Sequence, residues 1–338
     1  MNCICTWFYG EHKGNESHYG QVGGVSSSAE FYRVYLECVY VFYYMALKTN
    51  PDARYVFFTN LQDIPEKVGE LPFKAFFEKN NIQIVHRELS FKTPKEWFGA
   101  WRNQFYVFDV LQWLGENAPD DSIMILDSDC LLTKNLKDAF AEIQEKKLIS
   151  YDLRKDCDYY DDRVVNGISI NDMRDICKEL YGKSDEKVIY CGGEWIGIHG
   201  SVIPRLMSLY HEVSPKNYQR FEAGKKKLTE EAHMLSALYY GLGLTDWGAG
   251  KYIKRMWTST AFVNTSGSDV VYPIWHMPSE KKYGFHFLFS ELEKKELTAP
   301  EIMKDAKYLF GVEQKQAPMR FKLKRFMRRV DLAMNRRK

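Results

Sequence analysis

The chain has 338 residues, of which 45% are hydrophobic, 27% charged and 15% aromatic. That is room for one large α/β domain or two small ones, and it excludes disorder, collagen and coiled coil as descriptions of the whole. The net charge of +2 hides an asymmetry: residues 320–338 hold nine Lys/Arg against Asp331 alone, so this tail carries +8 and the remainder −6. A mildly acidic body argues against a nucleic-acid binder, whose basic footprint would lie on the folded part.

In chain order, residues 3–9 read as a first strand. A glycine-rich loop follows at 10–24. Ser27 or Ser28 is placed to cap a helix over 29–47. Strands are expected at 54–59 and 82–86. A helix is expected at 101–114, where Phe105, Phe108, Leu111 and Leu114 recur at spacings of three and four. The run 122–126 (SIMIL) is apolar throughout, which marks a strand covered on both faces. Further strands are expected at 148–151, 188–190 and 195–198, and a helix at 229–240. This alternation predicts a mostly parallel sheet flanked by helices. Seven cysteines without a Cys-x-x-Cys pair read as reduced core thiols. The N-terminus lacks a basic segment and a long apolar run, so no secretory signal is expected. Its longest apolar stretch, 38–47, is half a membrane span.

The most informative segment is 122–136, where the buried strand ends in Asp127-Ser128-Asp129. In open α/β sheets, ligands bind at the carboxyl ends of strands. Two carboxylates two residues apart can converge on a hard divalent cation, Mn²⁺ or Mg²⁺. A plain turn is the competing reading.

This strand–Asp-x-Asp–apolar pattern resembles the metal site of GT-A glycosyltransferases, which use nucleotide-sugar donors. Two further segments resemble retaining families 6 and 8. One is Tyr190-Cys191-Gly192-Gly193-Glu194-Trp195, followed by Thr229-Glu230-Glu231-Ala232-His233. The other is Trp275-His276 with Lys281 and Lys282 beyond; no Gly-x-x-Lys-Pro-Trp run follows it. The resemblance implies a GT-A, Rossmann-like catalytic domain over 1–314, with a donor half at about 1–150 and an acceptor half at about 151–290. It implies a UDP-sugar donor and work in polysaccharide or lipopolysaccharide biosynthesis.

Breaking a sugar–diphosphate bond creates negative charge on the leaving phosphate, which a metal and a lysine can stabilise. Asp129 is expected to bind the metal most directly, Asp127 to bind metal or ribose, and His276 to supply an imidazole. Ser128 and Lys281 or Lys282 belong to the donor side. A carboxylate beside the anomeric carbon would stabilise positive charge or attack. Glu231 is the first candidate and Glu230 the second; helix capping is their bland alternative. Gly192, Gly193, Glu194 and Trp195 are candidates for the acceptor. Thr6, Trp7, Phe8 and Tyr9 could meet a nucleobase, or form only a core strand. Arg102 is placed to reach a phosphate, or is a surface arginine. The acidic run 156–162 reads as a loop at the acceptor mouth.

Residues 319–334 place Leu323, Phe326, Met327, Val330 and Met334 at helical spacing among Arg and Lys. That is the pattern of a basic amphipathic helix on an anionic membrane, worth about 1 kcal/mol per basic residue. A helix packed on the body is the alternative. The expectation is therefore a peripheral, cytoplasmic enzyme on the inner face of a membrane, acting on a glycan or lipid-linked acceptor. An inverting transferase, a haloacid-dehalogenase-type phosphatase, a sugar nucleotidyltransferase and a non-catalytic sugar-binding protein are the competing readings.

Overall fold

The structure is a computed structural model that describes all residues except 158, 245, 260, 261, 314, 324 and 328–338. The chain opens on β1 (Asn2–Phe8), whose Cys3, Ile4, Cys5 and Thr6 are wholly buried. Helix α1 (Ala29–Thr49) starts where the Ser28 hydroxyl accepts a hydrogen bond from the Phe31 amide, as a helix N-cap should. Next come β2 (Arg54–Thr59), α2 (Phe73–Lys79), β3 (Gln83–His86) and α3 (Tyr106–Asn117). The central strand β4 (Ser122–Leu126) is buried at every residue. It is followed by β5 (Cys130–Leu132), α4 (Lys137–Lys146), β6 (Leu148–Ile149), α5 (Arg154–Cys157) and α6 (Ile170–Tyr181). The second half holds β7 (Trp195–His199), α7 (Ile203–Glu222), α8 (Glu231–Gly241), β8 (Ile253–Arg255), β9 (Ile274–His276), α9 (His286–Lys294) and α10 (Ala299–Leu309).

The main sheet has the order β3-β2-β1-β4-β7-β6. The first four strands are parallel, and β7 runs antiparallel to both β4 and β6. The expected architecture, a mostly parallel sheet flanked by helices, is the one observed. A second sheet, β5-β9-β8, lies beyond the carboxyl end of β4. All seven cysteines are buried and unbridged. Among the described residues, no helix is long and apolar enough to cross a membrane.

Two sequence expectations change. Residues 188–190 form no strand; Cys191 makes only an isolated bridge to Asp152, because the Gly192-Gly193 turn that follows ends any ladder. The strand expected at 148–151 stops at Ile149, with Tyr151 bridged singly to Gly248.

Candidate active site

At the end of β4 the chain turns tightly: the Cys130 amide donates to the Asp127 carbonyl at 3.0 Å. It re-enters as β5, which pairs with β9 in a register that sets Cys130 opposite His276. The Met277 amide closes the pairing on the Asp129 carbonyl at 3.0 Å. This pairing brings His276 from 147 residues away to the two aspartates. His276 Nε2 stands 3.6 Å from Asp127 Oδ2 and 3.4 Å from Asp129 Oδ2. A short helical turn, Pro278–Glu280, then folds Lys281 back, and its buried ammonium bonds Asp129.

One ligand atom from each of Asp127, Asp129 and His276 lies within 4.8 Å of the others. Two carboxylate oxygens and one imidazole nitrogen form a donor set that suits Mn²⁺ or Mg²⁺ completed by phosphate oxygens. The residues present therefore fit a divalent cation. Burial tends to raise the Asp129 pKa, but Lys281 and His276 outweigh it and hold the carboxyl far below its usual range. Asp127 is pushed up to about 6 by desolvation in the cleft and by repulsion from Asp129. His276 is raised to about 9: burial opposes its charge, and Asp129 and Glu194 overcome that.

The same cleft, about 1060 Å³ with its open mouth, continues along the sheet edge. Trp7, Phe8, Tyr9, Tyr19, Tyr35 and Trp101 form an aromatic wall on one side of the aspartates. The loop carrying Tyr19 is held by one buried carboxylate. Glu11 accepts from the Ser17 amide at 2.7 Å and the Ser26 hydroxyl at 2.5 Å. It also accepts from the Tyr19 hydroxyl at 3.2 Å and from Asn103. Trp101, which closes this wall, has φ +44°, a left-handed backbone that bulky residues rarely adopt.

The opposite side is lined by Asn166, Tyr190, Gly193, Glu230, Glu231, Arg255 and Trp257. Glu230 occupies the extended N-cap position of α8, and Glu231 is the first helical residue. Glu230 accepts from the Tyr190 hydroxyl and, at 2.5 Å, from the Asn166 amide. Glu231 Oε2 is buried without a hydrogen-bond partner. Burial pushes Glu230 up to about 7, and burial together with the Glu230 and Asp127 charges pushes Glu231 well above the carboxylate range. Burial likewise lowers His233 to about 3, so it packs against Tyr190 as a neutral ring, 4.9 Å between centres and tilted by 35°. The capping alternative is weakened for Glu230, whose side chain makes no cap bond.

The two glycines expected at the acceptor have a steric function. A Cβ on Gly193 would lie 2.4 Å from Glu231 Oε1, and one on Gly192 would lie 2.4 Å from Glu194 Oε2. The Gly-Gly pair thus lets two carboxylates press against the backbone. Glu194 itself is fully buried, forked onto Arg255 at 2.7 and 2.5 Å and accepting from His276 Nδ1 at 3.0 Å. Burial opposes its charge, but Arg255 and His276 keep it ionised well below the usual range. Its oxygens are committed to these cations rather than offered to an acceptor.

Several expected residues stand off the cleft. Thr6 is fully buried within β1. Trp195 lies in the core, its indole bonded to the Ile149 carbonyl at 2.9 Å. Gly192 is covered by Glu194 and Tyr151. Arg102 donates to the Asn15 carbonyl at 2.5 Å, tying down the glycine-rich loop instead of reaching a phosphate. Lys282, one residue past Lys281 in a single wide turn, is carried away from Asp129 and lines no part of the cleft. In the acidic run, Asp158 lies outside the described residues, Asp156 accepts from Tyr151 and Asp161 pairs with Arg174 at 2.6 Å.

Arg255, Trp257, Tyr190 and Asn166 had no assigned role in the sequence. Only Asn166 carried a local signal: Asn166-Gly167 is a turn dipeptide, and both residues have positive φ. Arg255 and Trp257 reach the site through the β8–β9 pairing, which has no local motif.

No family model matches the chain, and no curated relative does. Its fold is similar to several solved glycosyltransferases. Mouse xyloside xylosyltransferase 1 in its apo form aligns at 10% identity and TM-score 0.46, over 81% of this chain and 96% of that one. The galactosyltransferase LgtC in complex with donor and acceptor sugar analogues aligns at 13% identity and TM-score 0.42, over 95% and 99%. The glycosyltransferase GlyE of Streptococcus pneumoniae aligns at 11% identity and TM-score 0.35, over 72% of this chain and 44% of that one. At these values the likenesses say nothing of substrate or mechanism, which rest on the cleft itself.

Proposed function

We propose that this chain is a metal-dependent glycosyltransferase that moves a sugar from a UDP-sugar to a glycan or lipid-linked acceptor, with retention at the anomeric carbon. One observation carries the reading. A single cleft holds a cation-binding trio and a buried lysine at its centre, an aromatic wall on one side and two desolvated carboxyls on the other. That is the arrangement a nucleoside diphosphate-sugar needs: a base on the rings, a diphosphate at the charges and a sugar against the carboxyls.

Asp127, Asp129 and His276 would hold Mn²⁺ or Mg²⁺, which supplies charge stabilisation to the departing diphosphate. Lys281, already charged and buried beside Asp129, adds a fixed positive charge that needs no reorganisation. Trp7, Tyr9 and Trp101 offer faces for a uracil. Glu231 faces the reacting sugar with one oxygen free of partners, so its carboxylate is the group that stabilises or attacks the anomeric carbon. Neutralising Asp127 removes one of the charges that keep a proton on Glu231. Glu230, held by Tyr190 and Asn166, sets the polarity beside it.

The same reading places the protein on the inner face of an anionic membrane. Residues 319–323 and 325–327 are helical. Phe321 packs on Tyr308 at 5.5 Å between ring centres, while Met319, Leu323, Phe326 and Met327 are 57–79% exposed. Exposed apolar side chains beside Lys322 support contact with lipid, whereas the Arg325 guanidinium lies against Gly311. Val330, Met334 and the basic residues beyond 327 lie outside the described residues. Thermal-shift screening against UDP-, GDP- and CMP-sugars with and without Mn²⁺ tests the donor reading. Mn²⁺-dependent stabilisation by UDP-sugars is expected; stabilisation by none of them overturns it. Co-sedimentation with anionic vesicles, lost on truncation of 319–338 and weakened by salt, tests the membrane reading; salt-independent pelleting or none removes it.

A further inference from the structure

We propose that Glu194 and Arg255 are positioning residues that fix the His276 ring for the metal, a role that rests on the metal reading above. Glu194 immediately precedes β7 and Arg255 ends β8, strands of two different sheets, and their forked pair ties those sheets together beside His276. The Glu194 carboxylate takes the Nδ1 side of the imidazole at 3.0 Å. That leaves Nε2, 3.4–3.6 Å from the aspartate oxygens, as the nitrogen that faces the cation. A ring whose Nδ1–H is committed keeps Nε2 toward the aspartates, the nitrogen whose lone pair a cation would take up in exchange for its proton.

Arg255 is anchored in turn. Its amide donates to the Tyr151 hydroxyl at 2.8 Å, and its carbonyl accepts from Asn264 at 2.9 Å. Its guanidinium neutralises Glu194, which would otherwise add a further negative charge beside Asp127 and Asp129. A buried charge left unpaired there would be costly. The pair therefore supplies orientation without adding net charge. Gly192 is part of the device, because a Cβ there would displace Glu194 Oε2.

The test is a double-mutant cycle read on Mn²⁺ binding to donor-free protein, with the electron paramagnetic resonance signal of free Mn²⁺ as the readout. Glu194→Gln and His276→Gln should each weaken Mn²⁺ binding, Glu194→Gln by about ten- to a hundredfold. The double variant should bind no worse than His276→Gln alone, since the effect of Glu194 passes through the ring. Additive losses would overturn the proposal, as would unchanged affinity in folded Glu194→Gln. If Glu194→Gln does not fold, Arg255→Lys, which keeps the charge and loses the fork, is cycled against His276→Gln with the same expectation. Wild-type protein that binds no Mn²⁺ would instead defeat the metal reading itself, a result distinct from additivity.

Discussion

The two ends of the cleft are both rich in carboxyls, yet their electrostatics are opposite. At the metal end, Asp129 and Glu194 are matched by Lys281, His276 and Arg255 and stay ionised although buried. At the sugar end, Glu230 and Glu231 have only neutral or distant partners, and burial keeps protons on them. Burial is similar; the placement of cations decides the outcome. One cleft thereby holds fixed negative charge beside His276 and Lys281 and a pair of adjustable carboxyls at the start of α8.

The comparison breaks most severely at Asp129. Asp129→Asn removes a charge with little change in volume and leaves Lys281 and His276 unmatched. Turnover should fall by roughly three powers of ten or more, with Mn²⁺ dependence lost; wild-type turnover with unchanged Mn²⁺ response would refute the assignment. Asp127→Asn should be nearly as damaging.

At the other end, Glu231→Gln should lower kcat by about two to three powers of ten while UDP and Mn²⁺ binding stay intact. Equal loss of UDP affinity would point to a structural role. Inactivity of Glu230→Gln alone would exchange the two roles.

Gly193→Ala sharpens the contrast, because the new methyl meets Glu231 Oε1 at 2.4 Å and touches nothing at the metal end. Activity should drop roughly ten- to a hundredfold by displacement of the carboxyl, with Mn²⁺ affinity preserved.

The smallest effect concerns pH. Glu230 titrates near 7 in the folded protein, above its ordinary 4.5, so the folded state binds the extra proton. Its contribution is complete below about 4.5 and is lost as pH rises through about 7. Melting temperature should therefore decline by several degrees across that window, and Glu230→Gln should flatten the decline. A wild-type curve that rises over the same window would contradict the protonated pair.

The core of this design was legible locally. The apolar run 122–126 announces a buried strand, and Asp127-Ser128-Asp129 announces a turn at its carboxyl end. Lys281 and Glu231 sat near enough to recognisable segments to be named. What could not be seen is set by pairing between distant strands. His276 is named through the resemblance alone, and the β5–β9 register is what brings it to Asp129; β8 beside β9 brings Arg255, which no motif names, to Glu194. A carboxylate in the glycine-rich segment reads as free until Arg255, 61 residues on, is placed beside Glu194. Arg102 shows no partner in the sequence for the same reason, since the loop carbonyl that accepts its hydrogen bond is 87 residues earlier.

The glycine-rich loop owes its shape to Glu11, whose two oxygens gather an amide, three side-chain donors from that loop or its border, and Asn103 from the next wall segment. Val22 and Tyr19 carry the same segment onto the core, the Tyr19 ring against Phe31 and Tyr35, so a polar hub and an apolar anchor hold it together. Other contacts add to the hub: Arg102 donates to the Asn15 carbonyl, and the Trp101 amide donates to the His18 carbonyl at 3.1 Å. The loop half of the aromatic wall, Tyr19 and Trp101, is thus braced apart from its strand half, Trp7 and Phe8, which β1 holds beside β4 and the aspartates.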